Sequence, residues 1–246
     1  MDAADFYTRI VAEVYGPLKA ATQDAEPYAA FVEETGSPAL ELGCGVGDPL
    51  LDLRRRGLDV EGVDSSANML ERCRRRARKQ RLRVVLHHQR MESLHLQRRY
   101  RAIFLAGPTF NLLPDDTTAV AALRGVRAHL AEAGTLLVSL FVPSPTPPEE
   151  IGQARIATAD DGAELRVSVV SEERNETERT QTTVLRYERH VRGRSTLVDR
   201  PWVMHWYTPA GFEDLAAAAG LVLSAVQPSV GAVVQHYRLQ AARCAG

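Results

Sequence analysis

The chain has 246 residues, 45% of them hydrophobic and 25% charged, and a formal net charge of −1. That length suits one α/β domain with a full core, or at most two small ones. Near-neutrality removes any global electrostatic case for nucleic acid or an anionic membrane.

Only Lys19 and Lys79 among the 30 basic residues are lysine, a bias that fits a GC-rich coding sequence better than a phosphate-binding surface. Cys44, Cys73 and Cys244 show neither paired nor metal-ligand spacing, which fits a reducing compartment. The opening MDAADFYTRIVAEVYG lacks a positive segment followed by an apolar one, so no secretion signal is expected. No apolar run reaches the roughly 20 residues of a membrane span. The expectation is a soluble, cytoplasmic protein that needs no metal.

In chain order, Phe6, Ile10, Val11 and Val14 fall at helical spacing over 2–15, and 24–35 forms a second helix. Ser37-Pro38 breaks the chain before the short apolar strand PALELG, and DPLLDLRRRG follows as a helix ending at Gly57. LDVEGVD (58–64) is the second strand. A serine-capped helix over 65–80 carries Met69, Leu70 and Cys73 on one face. Strands are expected over 82–88 and 100–107, a capped helix over 115–134 and a fifth strand over 135–142.

Strands alternating with helices specify a parallel sheet covered on both faces, with right-handed crossovers. The proline-rich PSPTPPEE (143–150) ends that pattern. Beyond it, 164–170, 179–191 and 194–207 alternate polar with apolar, with ADDG (159–162) and RGRS (192–195) at turns. Two or three antiparallel strands, laid over the domain as a lid, are expected there. A threonine-capped helix over 208–220 and a hairpin from 221–227 and 232–241 complete the sheet. The expected fold class is α/β, a Rossmann-like doubly wound, mostly parallel seven-stranded sheet with helices on both faces. It forms a single domain over 1–246: a helical cap (1–36), a core (37–142), the lid (151–207) and a C-terminal helix and hairpin (208–246).

The most informative stretch is ELGCGVGD at 41–48. It leaves a strand and enters a helix, the position where open α/β sheets bind ligands. Glycine there permits positive φ and direct contact between ligand and backbone. A dinucleotide fingerprint would read G-x-G-x-x-G, whereas this loop reads G-x-G-x-G and runs into Asp48-Pro49. That disfavours a nicotinamide-dependent oxidoreductase, because an acid at the helix start suits a ligand with a positive group better than a pyrophosphate. Asp64 ends the second strand, placed to accept from both hydroxyls of an adenosine ribose.

ExGxGxG, the helix after it, Asp64 and the SSANML helix together resemble the class I S-adenosylmethionine-dependent methyltransferases. The resemblance implies that S-adenosylmethionine binds with its methionine moiety along Glu41, Gly43, Cys44, Gly45 and Gly47. Asp64 would hold the ribose, flanked by Ser65 and Met69, and Met91 in HHQRMESL would pack on adenine. In FLAGPTFNLL (104–113), Gly107, Thr109, Phe110 and Asn111 would line the place where cofactor and acceptor meet. Tyr7 and Tyr15 would close over the site. Two positions depart from the family pattern: Arg90 stands where an acid usually precedes the Met91 position, and Arg101 where strand four usually carries Asp.

Some of these residues also have an ordinary structural reading: Met69 and Met91 as core, Asp48 as compensation for a helix dipole. On the acceptor side, HWYTP (205–209) brings His205 and Tyr207 to one strand face beside Trp206. A histidine there could take a proton from the acceptor, or could simply be buried. The arginine run over 71–83 reads as a solvated helix face rather than an RNA site. The function implied is methyl transfer to a small molecule, with nitrogen the first choice of acceptor and oxygen or carbon open. Intramolecular displacement on the cofactor, or a non-catalytic cofactor-binding protein, are the alternatives, and the state is monomer or homodimer.

Overall fold

The computed structural model describes residues 6–7, 9–18, 24–159, 161–228 and 234–242. The start of the N-terminal helix, Cys244 and the tip of the C-terminal hairpin lie outside them. Six helices are described: α1 (Arg9–Leu18), α2 (Glu26–Thr35), α3 (Leu50–Arg55), α4 (Ala67–Lys79), α5 (Asp116–His129) and α6 (Pro209–Ala218). No helix among the described residues is long and apolar enough to cross a membrane.

Five strands make the parallel core: β1 (Ala39–Leu42), β2 (Val60–Asp64), β3 (Leu86–His88), β4 (Tyr100–Leu105) and β5 (Leu130–Phe141). Four make a separate antiparallel meander: β6 (Ala154–Thr158), β7 (Glu164–Asn175), β8 (Thr180–Val191) and β9 (Arg194–His205). β10 (Leu221–Pro228) and β11 (Val234–Ala241) return to the core, giving seven strands in the order β10-β11-β5-β4-β1-β2-β3. β11 pairs antiparallel with both β10 and β5, and the other pairings in this sheet are parallel.

The doubly wound arrangement follows from period-two alternation along buried strands. Leu40, Leu42, Ile103, Leu105, Leu136 and Val138 pack towards α5 and α6, whereas Ala39, Ala102, Phe104 and Leu137 pack towards α2, α3 and α4. Helix ends match their capping chemistry: Ser66 Oγ accepts from Met69 N at 3.2 Å, Asp115 from Thr118 N at 2.7 Å and Thr208 from Gly211 N at 3.1 Å. β1 lies between β2 and β4, so its C-terminal end and that of β2 open onto one edge, where the glycine loop leaves the sheet.

The helix expected over 115–134 ends at His129, and β5 begins at Leu130 rather than at 135. Two further expectations change. The expected strand over 82–88 shrinks to Leu86–His88, because only that end pairs with β2. The antiparallel sheet has a fourth strand, β6, whose residues are mostly exposed and so show little hydrophobic alternation. Arg101, the departure in strand four, serves the fold, since its Nε donates to Thr35 O at 3.0 Å and closes the end of α2.

Glu61 is a buried carboxylate on β2 that accepts from Arg98 Nη1 at 2.7 Å and Tyr100 Oη at 2.9 Å, with His87 Nε2 at 2.8 Å. Burial pushes its pKa up, but these three partners outweigh burial and hold it below the usual glutamate value. The resulting stabilisation is complete above the ordinary carboxylate range and is lost as pH falls through that range towards the lowered folded value. Glu61→Gln is therefore expected to lose about 1–3 kcal/mol at neutral pH, and less in acid. Denaturant unfolding of both proteins at neutral and acidic pH checks this; a gap that does not narrow in acid contradicts it.

Candidate functional site

At the C-terminal ends of β1 and β2 lies a cleft lined by Tyr7, Tyr15, Gly43, Gly45, Asp64, Ser65, Met69, Met91 and Thr109, among others. Asp64 organises its floor. One carboxylate oxygen accepts from Gly45 N at 2.7 Å and the other from Ser66 N at 2.8 Å, which ties the glycine loop to the start of α4. Burial pushes the Asp64 pKa above the usual aspartate value, with the two N–H donors pulling it back. Ser66 Oγ also donates to Tyr7 O at 2.6 Å, anchoring the segment before α1 to this floor.

The three glycines do different work. Gly43 (φ +73°) lies so close to Thr109 that an added Cβ would sit 2.3 Å from Thr109 Cγ2. Gly45 (φ +52°) faces the cleft, where a Cβ would meet only Met69 Cε at 3.5 Å. Gly47 (φ +96°) does not line the cleft; a Cβ there would lie 2.8 Å from both Cys73 Sγ and Leu51 Cγ. Its smallness lets α3 and α4 pack together. Arg76 from α4 pins the same loop, donating to Val46 O at 2.9 Å and Asp48 at 2.8 Å. Asp48 is thus held by a cation across the loop, and this arginine of the 71–83 run is structural.

At the adenine end expected from the sequence, Met91 opens a 3-10 turn (Met91–Ser93) and lines the cleft with Gln89, Arg90 and Glu92. Arg90 Nε donates to Glu92 Oε1, so the departure at 90 comes paired with an acid two residues on. Met69 is both core and cleft wall: it is buried against Ala12 and Val46 and also lines the cavity. Cys44 lines a smaller inner recess beside Gly43 and Gly45, with Thr109 opposite. Tyr7 and Tyr15 meet edge-to-face at 5.4 Å over the opening. Burial raises both hydroxyls, Tyr15 to about 12, so both stay protonated at neutral pH.

Several expected site residues lie elsewhere. Glu41 is fully buried within β1, covered on both sheet faces, and does not reach the cleft lining. Its charge acts from behind the loop, helping to raise the pKa of Cys44, Tyr15 and Tyr28. Gly107 (φ +60°) lies off the cleft too, with its N–H donating to Tyr28 Oη at 3.2 Å. Phe110 is core, 5.4 Å from the Tyr207 ring and 5.6 Å from Phe212. Asn111 is a buried clamp: Nδ2 donates to Phe141 O and His205 O, both at 2.8 Å, and Oδ1 accepts from Phe141 N at 3.1 Å. It ties the loop after β4 to the ends of β5 and β9.

The same clamp explains why the acceptor-side pair is misplaced. β9 ends under that loop and delivers its last residues into the core, away from the cleft. His205 and Tyr207 are buried with rings 4.7 Å apart, and neither lines the cleft. Burial lowers the His205 pKa and raises that of Tyr207, so both are neutral at neutral pH. Trp206 is buried beneath the Arg174 guanidinium, 4.1 Å from its ring centroid. Gln89, Leu112, Leu113 and Pro114 line the cleft without having been singled out in the sequence. Their only signal was proximity to the ends of β3 and β4. No cluster of three or more metal-ligating residues occurs among the described residues.

The floor suits an adenosyl ligand: an acid at the end of β2, a positive-φ glycine pair beside it, and a methionine-walled slot. A family model for a methyltransferase domain matches residues 39–134, which span β1 to the start of β5. A curated relative from Streptomyces fradiae is 31% identical over 140 residues, 54% of this chain and 53% of that protein. It is described as a dTDP-3-amino-3,6-dideoxy-alpha-D-glucopyranose N,N-dimethyltransferase, and the match spans about half its length. The CcbJ methyltransferase of Streptomyces caelestis superposes with a TM-score of 0.77 at 23% identity, covering 98% of this chain and 99% of that one. CalS10 of Micromonospora echinaspora, an amino pentose methyltransferase, gives 0.67 at 20% identity over 96% and 98%. Residues 39–134 thus match a methyltransferase domain, and the chain as a whole shares the fold of solved S-adenosylmethionine-dependent methyltransferases.

Proposed function

We propose that this chain methylates an amine nitrogen of a small molecule, with S-adenosylmethionine as donor. The observation that carries the reading is the Asp64 carboxylate, held at the cleft floor by Gly45 N and Ser66 N. Asp64 and Ser65 would hold the ribose, Met91 the adenine, and the Gly43–Gly45 backbone the methionine end. Held there, the cofactor would supply a methyl group on a sulfonium whose sulfur leaves as a neutral thioether, and the cleft residues would orient the acceptor amine towards that methyl.

The chain's own contribution is placement. Tyr7 and Tyr15 stay protonated and so can donate hydrogen bonds to a bound ligand, and His205 stands outside the cleft. Orientation of two partners can alone supply about 7–11 kcal/mol of barrier lowering. The nitrogen acceptor draws support from the Streptomyces fradiae relative, described as an N,N-dimethyltransferase, and from CalS10, described as acting on an amino pentose. We read the chain as one domain working in the cytoplasm as a monomer or homodimer.

Mass spectrometry after incubation with S-adenosylmethionine and a panel of amines, alcohols and activated carbons tests this. Release of S-adenosylhomocysteine together with an N-methylated amine is expected. Methylthioadenosine as the nucleoside product would mean intramolecular displacement instead. O- or C-methylated products would overturn the choice of nitrogen, and no product with any acceptor would favour a binding protein.

A further inference from the structure

A second cavity lies between α1 and the antiparallel sheet. It shares Tyr7 and Tyr15 with the cofactor cleft, so that edge-to-face pair borders both spaces. Its walls are mostly apolar: Val14 and Leu18 from α1 face Val167, Leu185 and Tyr187 from the sheet. Phe6 closes one side, its ring 6.2 Å from that of Tyr187. Apart from the two shared tyrosines, polar groups are few. The Trp202 Nε1–H is buried and meets no acceptor in hydrogen-bonding geometry, although it is near enough to the Tyr7 hydroxyl to favour its ionisation. Tyr187 contributes a hydroxyl, and Arg155, exposed on β6, contributes a cation that makes no ion pair among the described residues.

Resting on the methyl-transfer reading, we propose that this chamber holds the body of the acceptor, and that the acceptor is a small amine with an aryl or alkyl body and an anionic group that meets Arg155. The composition of the walls decides the class. A ring or alkyl chain gains roughly 25 cal/mol for each Å² buried here. A sugar body would bring several hydroxyls into a space with few partners, at about 1–3 kcal/mol for each one left unsatisfied. An anion there can meet the Arg155 guanidinium, which makes no ion pair among the described residues, and the tyrosine pair borders both the chamber and the cofactor cleft. On this account the chain differs in acceptor from relatives described as acting on amino sugars.

The test uses two probes that each carry an amine and an anion and differ in body: homophenylalanine and glucosamine phosphate. Each is titrated calorimetrically into the full chain, in parallel with S-adenosylmethionine. Homophenylalanine is expected to bind at least about tenfold more tightly than glucosamine phosphate. Leu185→Arg should abolish that binding, and Arg155→Glu should weaken it about tenfold, while both leave the affinity for S-adenosylmethionine unchanged. Should Leu185→Arg fail to fold, Val167→Phe fills the same space with an apolar group and should likewise exclude the aryl probe.

Tighter binding of glucosamine phosphate, saturation by neither probe, or aryl binding indifferent to the chamber variants would each overturn the proposal. The cofactor titration separates the two readings. Loss of S-adenosylmethionine binding in wild type condemns the methyl-transfer reading, whatever the probes do; intact cofactor binding with failed probes condemns the acceptor class alone.

Discussion

Asp64→Ala is expected to lower the affinity for S-adenosylmethionine at least about a hundredfold, as measured by calorimetric titration. The carboxylate organises Gly45 N and Ser66 N and, on the proposed reading, faces the ribose, so its removal should cost both the ligand contacts and the floor that presents them. Hydrogen bonds to a charged group contribute about 1.5–3 kcal/mol each, and more than one is lost. The pH dependence has a definite sign. Because burial raises the Asp64 pKa, affinity should begin to fall, as the solution is acidified, above the ordinary aspartate range. Asp64→Asn keeps the shape and removes the titration, so its weaker affinity should be flat over the same acid range. An Asp64→Ala variant that binds the cofactor normally would contradict the account of the floor.

Gly43→Ala should damage fold and site together, by about 2–4 kcal/mol in unfolding free energy. A left-handed backbone at φ +73° is one part of that cost, and the 2.3 Å approach of the new Cβ to Thr109 Cγ2 is the other. Thr109→Ser separates them. It removes Cγ2 but keeps the hydroxyl that donates to Ala106 O at 2.7 Å. In that background Gly43→Ala should recover the steric part and retain the backbone part. Gly45→Ala, whose Cβ meets only Met69 Cε at 3.5 Å, should be the milder substitution in denaturant unfolding. Equal costs at 43 and 45 would contradict the assignment of distinct roles.

That contrast shows what the sequence could and could not carry. The mostly parallel sheet with helices on both faces was legible because short apolar strands alternate with helices from about 38 to 142, a pattern that survives without coordinates. Asp64 was legible because it ends a strand at a stated distance from the glycines. Spacing alone could not tell a glycine that admits a neighbouring side chain, such as Gly43, from one that lets two helices pack, such as Gly47. That difference lies in which atoms of Thr109, Cys73 and Leu51 arrive from elsewhere in the chain.

The acceptor side was the least legible. His205, Trp206 and Tyr207 carry chemistry-bearing groups at period two, and alternation does not say which face of β9 meets a cavity. The deciding contact is the Asn111 clamp, 94 residues away in sequence, which draws the end of β9 under the loop after β4. β6 escaped notice for a related reason: a mostly exposed strand has no apolar period to show. The chamber is assembled from α1, the residues before it and β6 to β9, and no segment of the chain announces it by itself.

The central claim, that the cleft over Asp64 and Gly45 binds S-adenosylmethionine, is tested most directly by titrating the cofactor into the wild-type chain in a calorimeter. Saturable one-to-one binding in the micromolar range, competed by S-adenosylhomocysteine, is the predicted result. Absence of a binding isotherm at millimolar cofactor would contradict it, and ELGCGVGD would then be a turn shaped by Thr109, Leu51 and Cys73 alone.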